Sequence, residues 1–177
     1  SLENLFITVG DLNVEAAKNF IGNHKNAEAI LLDIFNEASR KTAIKNADIV
    51  ISMLPASLHI DVAKDCLLFG KNMVTASYVS PEMQALNESA KNKGLVFMNE
   101  IGVDPGIDHM SAMQVLDRIR DEGGTVIQFE SFTGGLVAPE SDNNLWNYKF
   151  TWNPRNVVIA GQGGAAKFLQ EGTYKYI

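Results

Sequence analysis

A single cysteine, Cys66, stands among 177 residues, so no internal disulfide can form. It falls in an apolar helical pattern, where a buried free thiol is the expected state, and a reducing cytoplasm is the expected setting. Long apolar runs are missing as well. No window of about 18 uncharged apolar residues could span a bilayer, and no basic-then-apolar leader opens the chain, so no membrane partner is expected. Basic charge is in deficit: 15 Lys and Arg against 21 Asp and Glu leave a net charge of −6. That balance argues against nucleic acid and leaves anionic substrates to local Arg or Lys. Three histidines, His24, His59 and His109, have no H-x-x-x-H spacing and no second cysteine beside them, which does not make a zinc site. What is present is an apolar fraction of 46%, enough for a sizeable core in one or two domains.

Short apolar runs alternate with helical patterns. Residues 5–9 (LFITV) read as a buried strand ended by Gly10-Asp11, and NVEAAKNFIG places Val14, Ala17, Phe20 and Ile21 at helical spacing before Gly22. AILLD (29–33) is a second strand, with a helical stretch to about Lys45. ADIVISMLP (47–55) is a third, and its continuous apolar character predicts burial on both faces. Ser57 is expected to cap a helix carrying Leu58, Val62, Cys66 and Leu67 that stops at Gly70. NMVTA (72–76) is the next strand, Ser80-Pro81-Glu82 opens a helix with Met83, Leu86 and Ala90 inward, and Gly94 closes it. This alternation predicts right-handed crossovers and a doubly wound parallel sheet that binds ligands at the carboxyl ends of its strands. After about residue 124 the texture changes: TVIQFESFTGG and NYKFTW have strand character without βα alternation. A domain change is expected near Gly123-Gly124, bridged by a helix over 108–121.

Several strand ends carry chemistry. Asp11 follows the first strand, where an acid can accept hydrogen bonds from a ribose and disfavour a 2′-phosphate; as a turn residue after Gly10 it has an ordinary role too. AGQGGAAK (160–167) lacks the spacing of a phosphate loop and reads as a loop, a helix start or a flexible spot. Trp146, Tyr148, Phe150 and Trp152 alternate like one face of a strand. Arg155 alone is a surface guanidinium, although its planar fork suits a carboxylate. The stretch NEIGVDPGIDH (99–109) spaces Glu100, Asp104 and Asp108 every four residues, but the Pro105-Gly106 turn keeps them off one helix. Asp108 is expected to cap the following helix, and His109 to donate to a nearby carbonyl. Asp104 and Glu100 have no such structural excuse and are the stronger site candidates.

VISMLPASLH (50–59), VTASYVSPEM (74–83), VFMNEIGVDPGIDH (96–109), FTGGLVAPES (132–141) and YKFTWNPR (148–155) together resemble the glutamate-forming saccharopine dehydrogenase (saccharopine reductase) family. The likeness runs in order from about residue 5 to residue 160. The resemblance implies a Rossmann domain over residues 1–107 that lacks its first βα unit, followed over 108–177 by the start of an α+β substrate-binding and dimerisation domain. It implies oxidation of saccharopine to glutamate and 2-aminoadipate 6-semialdehyde, or the reverse, with NAD or NADP in lysine metabolism. By the same resemblance Asp104 is the catalytic candidate beside the substrate amine. Tyr78, Glu100, Thr133 and Arg155 join it around the substrate, with Arg155 on a carboxylate. Leu54, Pro55, Ser57 and Ser77 line the cofactor with Asp11. The expected partners are a small amino-acid substrate and a second copy of the chain in a homodimer.

Two departures from the fungal pattern matter. Where NADP-using enzymes have an arginine after the second strand, this sequence reads Gly10-Asp11-Leu12-Asn13, so NAD is the expected preference. Thr133 stands in place of a cysteine. The absence of a G-x-G-x-x-G loop leads to the expectation that the sequence belongs to a longer protein, or that a partner chain fills the gap left in the sheet. Two other readings remain open at this point, a related amine-carbonyl reductase of the carboxynorspermidine type and a non-catalytic nucleotide-binding fragment.

Overall fold

The computed structural model describes residues 5–132, 135, 137–150, 154, 155, 158 and 165–177. They belong to two compact units, Ser1–Phe129 and Glu130–Ile177. In the first, strands and helices alternate: β1 Ile7–Asp11, α1 Val14–Ile21, β2 Ala27–Leu31, α2 Glu37–Asn46, β3 Ile49–Ser52, α3 His59–Phe69, β4 Asn72–Thr75, α4 Pro81–Ala85, α5 Asn87–Asn92, β5 Phe97–Met98 and α6 Ile107–Asp121. β1 pairs in parallel with β2, and β3, β4 and β5 form a second parallel sheet in that order. This is the parallel α/β architecture that the alternation predicts.

Local chemistry explains three of the helix starts. Asn13 Oδ1 accepts from Ala16 N at 3.0 Å to open α1, Asn36 Oδ1 accepts from Ser39 N at 3.0 Å to open α2, and Ser80 Oγ accepts from Met83 N at 3.2 Å ahead of Pro81 in α4. α3 ends on Gly70, whose φ of 67° and ψ of 42° lie in the left-handed region that glycine enters without penalty. The cap expected at Ser57 is not formed. Ala56–Leu58 make one tight turn, closed when Leu58 N donates to Pro55 O at 2.9 Å, and α3 begins at His59 with no side-chain cap. His59 N donates to Ala56 O, so the backbone itself satisfies a donor that a Ser57 hydroxyl would have taken. The single helix expected between Ser80 and Gly94 is divided into α4 and α5 at Leu86.

The core sits under the second sheet. Val62, Ala63 and Cys66, one face of α3, pack with Ile44 of α2, Met73 of β4 and Met83 of α4. Burial of a side chain such as Met73 contributes about 1.5–3 kcal/mol. Cys66 is fully buried, and desolvation, reinforced by the charge of Asp65, pushes its thiol up to about 12. It is inert packing, as its apolar context implies. The expected burial of β1 and β3 does not hold: Ile7 is 56% exposed and Ile51 66% exposed. Among the described residues each of these strands pairs along one edge, and residues of both line a cavity of about 450 Å³ where an uninterrupted sheet would have placed apolar neighbours.

The second unit contains a hairpin, β6 Lys167–Gln170 and β7 Thr173–Tyr176, paired antiparallel. Its turn uses Glu171 and Gly172 at φ of 52° and 74°, the positive pair whose twist matches the flanking strands. Strand character expected in 125–132 and 146–150 is not realised among the described residues, which find no ladder partner there. Tyr148 and Phe150 instead meet edge to face, with ring centroids 5.6 Å apart. Trp152 and residues 160–164 of the glycine cluster lie outside the described residues, while Lys167 opens β6. Among the described residues no helix is long and apolar enough to cross a membrane.

One polar tie crosses this apolar layer. Arg40 Nε donates to Asp65 Oδ2 at 2.7 Å and Arg40 Nη1 to Ile34 O at 2.7 Å, joining α2 to α3 with both side chains largely buried. Removing one partner strands the other charge away from water. Arg40→Ala is expected to cost about 3–5 kcal/mol in a denaturant titration, and a loss under about 1 kcal/mol would show the pair to be solvated.

Candidate active site

The parallel register brings the ends of β3, β4 and β5 to one edge. Ser52 pairs with Thr75 and Val74 with Met98. The two segments that leave β4 and β5 then bind each other by backbone: Ile101 N donates to Thr75 O at 3.2 Å and Glu100 N to Ser77 O at 3.0 Å. Glu100 takes a left-handed φ of 63°, and its Oε1 accepts from Val79 N at 3.2 Å. Its carboxylate therefore has a structural task beside any substrate role. The Tyr78 hydroxyl reaches Asp104 Oδ1 at 3.5 Å, the long limit of a hydrogen bond. Desolvation, followed by the charge of Asp104, raises the Tyr78 phenol above its ordinary value and keeps it a donor.

Asp104 is exposed at the tip of a tight turn. Gly102 N donates to Pro105 O at 2.8 Å, Ile107 N to Gly102 O at 2.9 Å, and the Asp104–Pro105 peptide bond is cis. Gly106 has a φ of 145°, and a Cβ there would lie 2.2 Å from Gly102 O, so this crossing of backbones admits only glycine. The helix that follows starts one residue earlier than expected. α6 begins at Ile107 and Gly106 occupies its cap position, because the carbonyl of Gly102 already accepts the first helical donor. Asp108 is thus a first-turn acid and not the cap; its Oδ1 accepts from Gly106 N at 2.8 Å. His109 turns its Nδ1 to the same oxygen at 2.8 Å, not to a carbonyl. That hydrogen bond, with the charge of Asp108, raises the exposed imidazole above its ordinary value.

Of the residues expected around the cofactor, Asp11 and Leu54 line the gap between β1 and β3. Asp11 Oδ1 accepts from Asn13 N at 2.7 Å, which orients the carboxylate at the strand end and leaves it exposed. Pro55 and Ser57 are exposed in the loop after β3. Ser77 points back to His59, a residue that sequence reasoning passed over. His59 is 3% exposed; its Nδ1 lies 2.8 Å from Ser52 Oγ, and its Nε2 lies 2.7 Å from Ser77 Oγ and 3.1 Å from Thr75 Oγ1. Also unforeseen is Asn99 Oδ1, a buried acceptor with no donor among the described residues. Neither residue had a local signal, because their surroundings come from strands far apart in the chain. Arg155 is exposed in the second unit, and Thr133 lies outside the described residues.

A family model described as Saccharopine dehydrogenase NADP binding domain matches residues 2–98, and one described as Saccharopine dehydrogenase C-terminal domain matches residues 102–177. The chain belongs to the saccharopine dehydrogenase family. It is 42% identical over 166 residues to the L-glutamate-forming, NADP(+) saccharopine dehydrogenase of Schizosaccharomyces pombe, an alignment covering 94% of this chain and 37% of that protein. It is 40% identical to an alpha-aminoadipic semialdehyde synthase of Arabidopsis thaliana over 96% of this chain and 16% of the relative. Among solved structures it is similar to apo L-Glu-forming saccharopine dehydrogenase from Saccharomyces cerevisiae, with a TM-score of 0.80, 32% identity and coverage of 99% of this chain and 39% of the other. The chain thus spans less than two fifths of the length of these relatives. The family description and the fission-yeast name carry NADP, where the charge of Asp11 leads to an expectation of NAD.

Two histidines of this family member give opposite dependences of stability on pH. Burial holds His59 below the 6.5 of an ordinary imidazole, so an unfolded chain takes up that proton first. The stability His59 confers is complete above the unfolded value and is lost as pH falls toward the folded one. His109, raised by Asp108, contributes below the unfolded value and loses its contribution as pH rises through the folded one. The melting temperature is expected to fall more between about pH 7.5 and about pH 5 in the natural protein than in His59→Gln. Parallel curves would refute the assignment of this slope to His59.

Proposed function

We propose that the protein is a nicotinamide-nucleotide-dependent oxidoreductase that oxidises the secondary amine of saccharopine to glutamate and 2-aminoadipate 6-semialdehyde, or runs the reverse reaction, in lysine metabolism. The observation that carries this reading is the convergence of Tyr78, Glu100 and Asp104 at the carboxyl ends of β4 and β5, in a chain of the saccharopine dehydrogenase family. Ligands bind at this edge of doubly wound sheets.

Saccharopine carries three carboxylates and two amines, and the carbon to be oxidised bears the secondary amine. When bound, the nicotinamide supplies a hydride acceptor in the oxidative direction. The amine must give up its proton, and Asp104, exposed at the turn, is the group we assign beside it, as charge partner or proton acceptor. The neutral Tyr78 hydroxyl donates to the Asp104 carboxylate and holds it in the site. Water then adds to the imine and the carbinolamine collapses, a second proton transfer for which a positioned base serves. Arg155 and Thr133 are assigned to substrate contact by the family motif alone, Arg155 as the fork for a carboxylate.

For the cofactor, the residues present fit a dinucleotide at the strand ends. Asp11 stands exposed at the end of β1 and Leu54 lies in the loop after β3, the edge at which doubly wound sheets bind ligands, and Asn99 Oδ1 is a buried acceptor with no donor among the described residues. Pro55, Ser57 and Ser77 complete the assigned set. Asp11 opposes a 2′-phosphate, and NAD preference rests on it; the family description supports NADP. The single buried thiol suits a cytoplasmic setting, and the exposed Leu145 and Trp146 suit a homodimer.

The natural protein, assayed with saccharopine and each nucleotide, is expected to reduce the nucleotide and release glutamate. Asp104→Asn should lower kcat by about 10²-fold or more, the usual contribution of a positioned acid or base; a variant within about twofold of the parent removes Asp104 from the chemistry. Asp11→Asn, which keeps the acceptor for Asn13 but not the charge, should raise the ratio of kcat/KM for NADP over NAD about tenfold, equivalent to roughly 1.4 kcal/mol. An unchanged ratio would assign cofactor choice elsewhere.

A further inference from the structure

We propose that His59 is a positioning residue for the nicotinamide nucleotide: its imidazole closes the loop Met53–Leu58 at one nitrogen and fixes the Ser77 hydroxyl at the other.

The loop after β3 carries Leu54, Pro55 and Ser57, and its two ends are Ser52, the last residue of the strand, and His59, the first of α3. The contact of 2.8 Å between Ser52 Oγ and His59 Nδ1 staples those ends together. Within the loop, one backbone bond, Leu58 N to Pro55 O, holds the turn before the helix, which has no side-chain cap of its own. The other nitrogen extends the tie to the neighbouring strand end, 2.7 Å from Ser77 Oγ and 3.1 Å from Thr75 Oγ1. Ser77 is held a third time through its carbonyl, which accepts from Glu100 N at 3.0 Å, and the next residue, Tyr78, reaches Asp104. One buried ring therefore sets the geometry of two of the chain segments assigned to the cofactor, the loop after β3 and the end of β4 at Ser77. At 3% exposed, the ring acts through the loop and Ser77.

The hydrogen-bond inventory of imidazole adds a constraint. A neutral ring has one donor nitrogen and one acceptor nitrogen. When Nδ1 carries the proton, Ser52 accepts and Nε2 receives the hydroxyl proton of Ser77, whose lone pairs then face outward; in the other tautomer the roles reverse and Ser77 has a proton to give. Ser77 and Ser52 thus have opposite polarity, and the ring decides which form of Ser77 the cleft presents. Burial keeps the ring neutral and preserves this pairing. A histidine in an apolar core needs one partner for its donor. Here three hydroxyls from the ends of two strands converge on it.

This inference rests on the nucleotide-dependent reading above, and its test separates the two. In the natural protein, binding of NADPH and NADH is followed by nucleotide fluorescence, with the kinetics of saccharopine oxidation and the melting temperature measured alongside. His59→Leu removes both contacts, Ser77→Ala removes one, and His59→Gln keeps a polar group near Nε2. His59→Leu is expected to raise the nucleotide Kd and KM about tenfold or more while the saccharopine KM changes less than about threefold. His59→Gln should recover most of that loss, and His59→Leu combined with Ser77→Ala should be no weaker in binding than the worse single variant, since both remove the same tie. A natural protein that binds neither nucleotide defeats the functional reading and this inference with it. A natural protein that binds, beside a folded His59→Leu with unchanged nucleotide affinity, or fully additive effects with Ser77→Ala, overturns the inference alone. If His59→Leu does not fold, Ser52→Ala decides, since it removes the tie at Nδ1 and Ser52 is not assigned to the cofactor: a nucleotide Kd within about twofold of the parent overturns the inference, and a larger loss supports it.

Discussion

The candidate site depends on the parallel pairing of β3 with β4 and of β4 with β5. Parallel strands release the chain at a common edge, and each needs a crossover long enough to return it. In this molecule the crossovers are α3 and the α4–α5 pair, and the common edge gathers Ser52, Thr75, Ser77, Tyr78, Asn99 and Glu100. The pairing continues past the strands as the backbone bonds from Ile101 to Thr75 and from Glu100 to Ser77. Without that continuation the turn bearing Asp104 would have no fixed relation to Tyr78.

Helix α3 anchors this edge from below. Its inner face supplies Val62, Ala63 and Cys66 to the core, its Asp65 is tied to Arg40, and its first residue is His59. Packing thus sets the height of the helix against the sheet, and that height places the imidazole among the strand-end hydroxyls. The chemistry around it is divided by solvation. His59 is buried and neutral, whereas Glu100, Asp104 and Asp108 sit at or near the surface, where water solvates their charges. A dry layer of hydroxyls and a wetter layer of acids lie within a few residues of each other in sequence, yet have different tasks.

Much of this was legible beforehand. The βα alternation followed from apolar runs and punctuation, and Ser80-Pro81 and Gly70 stand where cap chemistry puts them. Asp104 was separable from Asp108 because a Pro-Gly turn intervenes. Other expectations failed for physical reasons. Ser57 and Asp108 have the side chains of caps, but the backbone carbonyls of Ala56 and Gly106 accept from His59 N and Met110 N, the donors those side chains would have taken. β3 is apolar throughout but has Ile49 and Ile51 exposed, since apolar character expresses a preference and burial requires a neighbour. His59 was passed over because its partners Ser52, Thr75 and Ser77 lie 7, 16 and 18 residues away, beyond any local pattern.

By itself, then, the amino-acid order determined the element types, the alternation that makes a parallel α/β unit, the inert state of Cys66 and the crowding of acids into one turn. These follow from periodicity, side-chain shape and turn preference, which act over a few residues. The tertiary structure alone decided which hydroxyls meet His59, which carboxylate Tyr78 approaches, that Gly102 and Gly106 touch, and that Asn99 Oδ1 is buried without a donor among the described residues. Those outcomes depend on strand register and helix height, and both are set by packing between segments distant in the chain.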